Sequence, residues 1–237
     1  MSDAAHLGLL GGFECTYAGN KIVLPLGAQR LLALLALRGS GMHRVGAAER
    51  LWPNSSPGRA AGNLRSALWR SRRIGETTLI ECVGPRLRLA PSVCVDLRHI
   101  YCQVQGALKG QPVAADRNSE GLVAALSLEL LPDWTDDWLV MERDRWDQVR
   151  LHALEGVAKG FLSQEQYLDA LQAALAAVAV EPIREAAHRI VIEVHLAEGN
   201  AGSALQHYQR FRAYLHRELG VAPSPRMTQL ANTLLPS

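Results

Sequence analysis

The feature of this sequence with the clearest chemistry is a run of arginines without acidic neighbours. Residues 57–75 contain five arginines and no Asp or Glu, and the arginines are Arg59, Arg65, Arg70, Arg72 and Arg73. A guanidinium forms planar, bidentate hydrogen bonds with phosphate and with guanine. Like charges repel along an isolated helix, and a surface helix exposed only to solvent would normally mix both signs. The stretch therefore predicts a surface that binds a polyanion such as DNA.

The other reactive residue types do not form a pattern typical of an active site or a metal site. His188 and His195 flank Glu193, but their spacing is not that of a zinc-binding H-E-x-x-H helix. A carboxylate pair for hydrolysis is conceivable among Asp133, Asp136 and Asp137, although carboxylates next to tryptophans also mark the start of a helix. The four cysteines form no C-x-x-C pair. We predict no enzyme, no metal and no cofactor.

The charge of the chain is divided unevenly. The first hundred residues carry 13 Lys and Arg against 6 Asp and Glu, a formal charge of +7, whereas residues 101–237 carry 12 against 17, a charge of −5. Arginine outnumbers lysine by 22 to 3. A GC-rich genome would also produce that arginine bias, but it would not segregate the charge. One end of the chain is therefore expected to meet a polyanion.

The elements around the arginine run are typical of a winged helix-turn-helix. Ser56 and Pro57 suit the N-cap and first position of a helix over 57–75. Its apolar stripe is predicted to consist of Ala60, Leu64, Ala67, Leu68, Ser71 and Ile74. Two helices, 28–38 and 46–52, precede it. A hairpin over 78–95 follows and carries Arg86 and Arg88 beside its turn. In this arrangement the basic helix enters the major groove, and the hairpin wing touches the backbone or minor groove.

The second half of the sequence predicts only helices. A loop is expected over 110–119, and the predicted helices are 97–109, 120–131, 134–162, 164–179, 182–198, 200–218 and 224–235. The tripeptide at 170–172, Ala-Leu-Gln, recurs at 204–206, which is the 34-residue period of tetratricopeptide repeats. An ordinary helical bundle is the alternative interpretation.

The predicted fold is mainly α with a small β component. An N-terminal winged helix-turn-helix, 1–97, is followed by an all-α tetratricopeptide-like helical domain, 98–237. The sequence contains no stretch of 18 consecutive apolar residues and does not begin with a secretory signal. We therefore expect a cytoplasmic, nucleoid-associated protein with no membrane partner.

Several segments resemble the Streptomyces antibiotic regulatory protein (SARP) family. They are LPLGAQRLLALLAL, ERLWPNSSPGRAAGNLRSALWRSRR, LIECVGPRLRL, LELLPDWTDDWLVMERDRW and the stretch from VEPIREAAHRIVIEV to RELGVAPSP. The most specific signatures are Leu51-Trp52 and the Glu218-Leu219-Gly220-Val221 ending with Pro223. The resemblance covers nearly the whole chain. It implies an OmpR-type winged helix joined to a bacterial transcriptional activation domain (BTAD).

The resemblance also implies roles for individual residues. Asn63, Ser66 and Arg70 would contact DNA bases, with Arg72 near the backbone, while Arg59, Arg65 and Arg73 are added from their charge alone. Arg86 would act from the wing. The loop implied to contact RNA polymerase comprises Pro53, Asn54, Ser55, Ser56 and Pro57. The implied partners are double-stranded DNA with promoter direct repeats, RNA polymerase holoenzyme and a second protomer on the DNA.

The chain departs from the family pattern at two places. The usual Arg-Leu-Arg near the end of the recognition helix is Arg70-Ser71-Arg72 here. This change predicts either a rearranged helix end or a buried hydroxyl bonded back to the backbone. The wing carries Arg86-Leu87 where the family usually has Gly-Tyr, so the wing lacks that aromatic ring and gains a cation.

The function favoured by these observations is transcriptional activation. A repressor, or a DNA-binding module gated by a ligand or partner, would need the same DNA contacts. A repeat-type protein-binding scaffold with a merely charged surface is the further alternative. DNA binding by such a scaffold would not depend on salt in the way a phosphate-binding surface requires.

Overall fold

The structure is a computed structural model that describes residues 4–108 and 118–232. The chain divides into two compact units: the first comprises Met1–Cys102 and Leu128–Asp144, and the second comprises Gln103–Ser127 and Arg145–Ser237. We predicted a domain boundary after residue 97. Because each unit is made of two separate segments of the chain, the division into units does not correspond to one boundary, and the predicted boundary stays a prediction.

The described helices follow the order expected from the sequence. The helices are α1 (Leu26–Leu37), α2 (Arg44–Leu51), α3 (Pro57–Ser71), α4 (Asp96–Leu108), α5 (Asn118–Leu126), α6 (Asp137–Ser163), α7 (Tyr167–Val180), α8 (Glu185–Ala197), α9 (Ala201–Leu219) and α10 (Pro225–Asn232). The strands are β1 (Ala5–Gly8), β2 (Glu14–Tyr17), β3 (Asn20–Lys21), β4 (Met42–His43), β5 (Arg73–Ile74), β6 (Thr77–Thr78), β7 (Ile80–Val83), β8 (Arg86–Leu89) and β9 (Cys94–Val95). The predicted loop over 110–119 lies mostly outside the described residues, and α5 begins at Asn118.

A four-stranded sheet opens the first unit. Its strand order is β3-β2-β1-β9, with β1 antiparallel to β2 and parallel to β9. The Asp96 carboxylate ties this sheet to the following helix, since it accepts hydrogen bonds from the backbone N–H groups of Leu9 at 2.8 Å, Leu10 at 2.9 Å and Leu97 at 2.6 Å. A carboxylate that accepts three N–H donors holds these segments in one arrangement.

Three helices and a hairpin complete the winged helix-turn-helix. Helix α1 packs against α2 and α3, and its leucines at 31, 32, 34 and 35 are fully buried because the helix is apolar over most of its circumference. Strands β7 and β8 form the wing, and β8 also pairs with β4, which makes a three-stranded sheet. The wing turns at Gly84, whose φ of +56° suits a residue without a Cβ atom.

Helix α3 ends earlier than the sequence predicts. It stops at Ser71 rather than running to residue 75, and β5 pairs instead with β6 in a two-stranded ribbon. Gly75 turns this ribbon with a left-handed φ of +56°. The β-branched threonines at 77 and 78 favour the extended partner strand. Ile74 therefore belongs to a strand and not to the helical stripe.

A segment distant in sequence completes the first unit. Leu10 forms a β-bridge with Leu130, and the backbone N–H of Leu131 donates to the carbonyl of Leu9 at 2.9 Å. Phe13 stacks on Trp134 with ring centroids 5.7 Å apart. Residues 128–144 are therefore part of the structure that carries the wing and the basic helix.

The second unit has the predicted tetratricopeptide-like arrangement. Helix α7 begins 34 residues before α9, and α8 packs against both. The repeated alanines, Ala170 and Ala204, are fully buried, as close packing within helix pairs requires. Gly199 and Gly220, with φ values of +78° and +68°, end α8 and α9. Among the described helices, none is both long and apolar enough to cross a membrane.

Candidate nucleic-acid interface

Helix α3 presents one apolar face to the core and one basic face outward. Ser56 occupies the N-cap position and Pro57 the first helical position, although the Ser56 side chain makes no capping hydrogen bond. The buried positions are Ala60, Leu64, Ala67 and Ser71. Because these recur every three or four residues, the positions between them point away from the core.

All five arginines of the run are exposed. None of them pairs with a carboxylate anywhere in the described part of the chain. By contrast, Arg88 pairs with Glu81 at 2.6 Å, and Arg30 pairs with Asp136. The charge of the run is therefore available to an external anion. Arg73 lies in β5 and Arg72 caps the end of α3, with its backbone N–H donating to the carbonyl of Leu68 at 2.8 Å.

The three residues implied to contact bases share one side of α3. Asn63, Ser66 and Arg70 lie at spacings of three and four residues, which brings their side chains onto neighbouring turns. Ser66 and Arg70 are exposed and Asn63 is half-buried. The hydroxyl of Ser66 donates to the carbonyl of Gly62 at 3.2 Å, which leaves its oxygen lone pairs for a further contact.

Ser71 confirms one of the two outcomes expected where the family has leucine. Its side chain is completely buried, and its hydroxyl donates to the carbonyl of Ala67 at 2.8 Å. The hydroxyl is thus satisfied by the preceding turn, as is common for serine inside helices. The helix end next to Arg70 and Arg72 therefore buries this hydroxyl with its hydrogen bond made.

Both arginines of the wing have a partner within the chain. The Nη2 atom of Arg86 donates to the carbonyl of Gly41 at 3.2 Å, and Arg88 pairs with Glu81 on the adjacent strand. Gly41 has a φ of +73°, and a Cβ atom built there would lie 2.6 Å from the carbonyl oxygen of Leu87. The wing therefore packs directly on the backbone before β4, and Arg86 is exposed with some of its donors unused.

The loop implied to contact RNA polymerase lies beside a cleft within the first unit. Pro53, Asn54, Ser56 and Pro57 are exposed, and Ser55 is half-buried with its N–H donating to the carbonyl of Trp52 at 3.1 Å. The cleft has a volume of about 440 Å³, and its lining includes Arg30, Trp52, Pro53, Asn54, Ser55, Asp136 and Trp138.

The carboxylate at the rim of this cleft has structural partners. Asp136 accepts hydrogen bonds from Arg30 and from the indole Nε1 of Trp138, the latter at 3.1 Å. No group of three or more potential metal-ligating side chains is found in the described ranges. Asp136 therefore holds α1 and the start of α6 together.

Two exposed residues, one on α3 and one beside the wing, were not identified from the sequence. Trp69 is 84% exposed on α3. Its position outside the apolar stripe of 57–75 is a sequence signal for this exposure, next to the more conspicuous arginines. Arg44 is exposed at the start of α2, and its backbone N–H donates to the carbonyl of Pro85 in the wing at 2.9 Å. That neighbourhood depends on pairing of segments about forty residues apart in sequence, for which the sequence carries no local signal.

Comparison with known proteins agrees with this arrangement. The bacterial transcriptional activator domain family matches residues 104–235, more than half of the chain. The regulatory protein AfsR of Streptomyces coelicolor is 26% identical over 242 aligned residues, which cover 99% of this chain and 24% of AfsR. The structure of Mycobacterium tuberculosis EmbR in complex with a low-affinity phosphopeptide superposes with a TM-score of 0.76 at 19% identity.

The chain spans about a quarter of the length of AfsR. Its structural match with EmbR covers 98% of this chain and 65% of the EmbR chain. The domain match covers the second half of the sequence, and the AfsR and EmbR similarities extend through the winged helix. The chain therefore belongs to the SARP family of transcriptional regulators, which carry the bacterial transcriptional activator domain.

Proposed function

We propose that this chain is a non-enzymatic, sequence-specific DNA-binding regulator that activates transcription. It binds direct repeats near a promoter, with two protomers on the DNA, and recruits RNA polymerase holoenzyme. The observation that carries this proposal is that the arginines of α3, of its C-cap and of β5 are exposed and free of carboxylate partners in the described structure. Its place of action is the cytoplasm, at the promoter.

The proposed DNA contacts fall into two classes. Arg59, Arg65, Arg72 and Arg73, together with Arg86 of the wing, neutralise phosphates and supply most of the affinity. Asn63, Ser66 and Arg70 contact base edges, where each good bidentate pair contributes about 1–3 kcal/mol of discrimination. Five phosphate contacts per protomer correspond to a slope of log K against log salt of about −4.5.

The proposed polymerase contact is the loop from Pro53 to Pro57. Its exposure, and its position between α2 and the DNA-binding helix, support an interaction that is compatible with α3 lying in the major groove. Activation then results from additional binding energy between regulator and polymerase on the same DNA.

A ternary binding experiment tests activation directly. The preferred site is first selected from a random oligonucleotide pool. Affinity for a promoter fragment that carries two copies of this site is then measured with and without RNA polymerase holoenzyme. An activator binds more tightly with polymerase present, and Asn54→Ala together with Ser55→Ala abolishes that gain without changing affinity for DNA alone. Mutual exclusion of the two proteins would instead establish a repressor. Failure to select any site would favour a protein-binding scaffold.

A further inference from the structure

Trp69 is exposed on the side of α3 that also carries Arg65 and Arg70. Its side chain is 84% exposed, whereas the apolar face of the helix is already complete with Ala60, Leu64 and Ala67 buried. Burial of a tryptophan removes about 150–250 Å² of surface from water. In the folded chain the indole of Trp69, one of the largest apolar side-chain surfaces, therefore stays in contact with water. A binding partner would cover it.

The neighbours of Trp69 identify the chemistry of that partner. Arg65 and Ser66 lie four and three residues earlier on the helix, so they share the exposed face with the indole, and Arg70 follows it directly. All three are exposed. Trp69 is the only large hydrophobic side chain that α3 exposes. A single apolar plane within an unpaired cationic surface fits a polyanion that carries an isolated apolar group, rather than an extended apolar protein interface.

Duplex DNA has such a group in its major groove. The 5-methyl group of thymine is the apolar feature on the groove edge that distinguishes one base pair from another. We propose that Trp69 is a specificity-determining residue that packs against a thymine methyl group beside the bases contacted from Ser66 and Arg70. This inference rests on the proposed insertion of α3 into the major groove, and it adds a preference for thymine that the arginines cannot supply.

Replacement of thymine by deoxyuridine tests the contact by removing only the methyl group. Each thymine of the selected site is replaced in turn, and the dissociation constant is measured for the wild type, Trp69→Ala and Trp69→Phe. We expect one replacement to weaken wild-type binding about fourfold, the effect of one buried methyl group. The same replacement should leave binding by Trp69→Ala unchanged, and Trp69→Phe should retain part of the sensitivity.

Three outcomes would overturn the proposal. The first is wild-type binding that is indifferent to every thymine replacement, and the second is a Trp69→Ala variant that keeps the full deoxyuridine penalty. The third is a Trp69→Ala variant that binds DNA normally but loses the gain from polymerase, because Trp69 would then contact a protein. In all three cases the wild type still selects a DNA site with a steep salt dependence, so the proposed function would stand. Absence of any selected site would contradict the proposed function itself. Circular dichroism melting is the folding control, since an exposed side chain contributes little to the core.

Discussion

Arg86 of the wing donates a hydrogen bond from Nη2 to the backbone carbonyl of Gly41, at a distance of 3.2 Å. This bond joins the wing strand β8 to the turn that precedes β4. At the same place the wing backbone approaches Gly41 so closely that a Cβ atom would lie 2.6 Å from the Leu87 carbonyl and 2.8 Å from the Arg88 Cβ. The packing of the wing against the turn before β4 thus depends on a residue without a side chain.

The close approach predicts that Gly41→Ala destabilises the first unit. Gly84→Ala is the matched control, since Gly84 also has a positive φ but has open space where a Cβ atom would lie. A left-handed alanine alone costs about 1–2 kcal/mol. Gly41→Ala should exceed that cost, because Leu87 and Arg88 must also move. Urea unfolding measures the free energy of unfolding of both variants. Equal midpoints would show that Leu87 and Arg88 move at little cost to accommodate the Cβ atom.

The exposed arginines of α3 and β5 should differ in what they contribute to DNA binding. Arg70→Ala is expected to lower affinity and to relax sequence preference by about 1–3 kcal/mol, as for loss of a base contact. Arg73→Ala, in β5, should weaken all DNA alike and reduce the salt slope by about one. Competition binding with the selected site and a scrambled site separates the two. Unchanged preference in Arg70→Ala would make Arg70 a phosphate contact.

The Asp96 carboxylate should contribute to stability through its three N–H donors. Asp96→Asn removes the charge and turns an amide NH₂ towards Leu9, Leu10 or Leu97, with an expected cost of about 1–3 kcal/mol. Asp133→Asn is the control, because Asp133 is exposed. Thermal melting of the two variants should differ clearly. Coincident melting curves would show that the sheet does not depend on this carboxylate.

Two histidines in the second unit predict a dependence of stability on pH. His188 donates from Nε2 to the Pro182 carbonyl at 2.9 Å, so its Nδ1 accepts from Nε2 of His207 at 3.0 Å, and its ring stacks on Phe211. Burial is the main cause that lowers both pKa values, and His188, His195 and Arg210 lower the pKa of His207 further, to about 4.

Both rings are therefore neutral in the folded protein near pH 7. The unfolded chain binds their protons near the ordinary pKa of 6.5, so the stabilisation is complete above that pH and is lost as the pH falls towards 4. We expect the urea midpoint to fall over this range, and His207→Gln to flatten the decline. His216→Gln, at an exposed position on the same helix, should leave it unchanged. Parallel curves for the wild type and His207→Gln would exclude the histidine pair as the cause.

Much of the fold could be predicted from the sequence because its signals are local. The apolar density of α1, the Ser-Pro start of α3 and the Gly-Pro turn of the wing each act within a few residues, and their order predicts the winged helix. The 34-residue repeat identified α7 and α9 as equivalent elements. These features agree with the structure, and the domain match supports the interpretation of the second half of the chain.

The features that could not be predicted depend on contacts between distant segments. The bridge between Leu10 and Leu130 joins residues far apart in sequence, so nothing local indicates that 128–144 belongs to the first unit. The pairing of His188 with His207 likewise requires two helices to pack in one register. The end of α3 at Ser71 reflects competition with β5 pairing, which a helical periodicity alone does not represent.

Fluorescence anisotropy across a range of salt concentrations tests DNA recognition by α3 most directly. Labelled DNA from the gene neighbourhood of the protein is titrated with the wild type and with the double variant Arg70→Ala/Arg72→Ala. The control is Arg210→Ala/Arg212→Ala, which removes two exposed arginines from α9 instead. We expect tight binding to one fragment with a steep salt slope, reduced in the α3 variant and retained in the α9 variant. Weak, salt-insensitive binding that neither variant changes would contradict DNA recognition by α3.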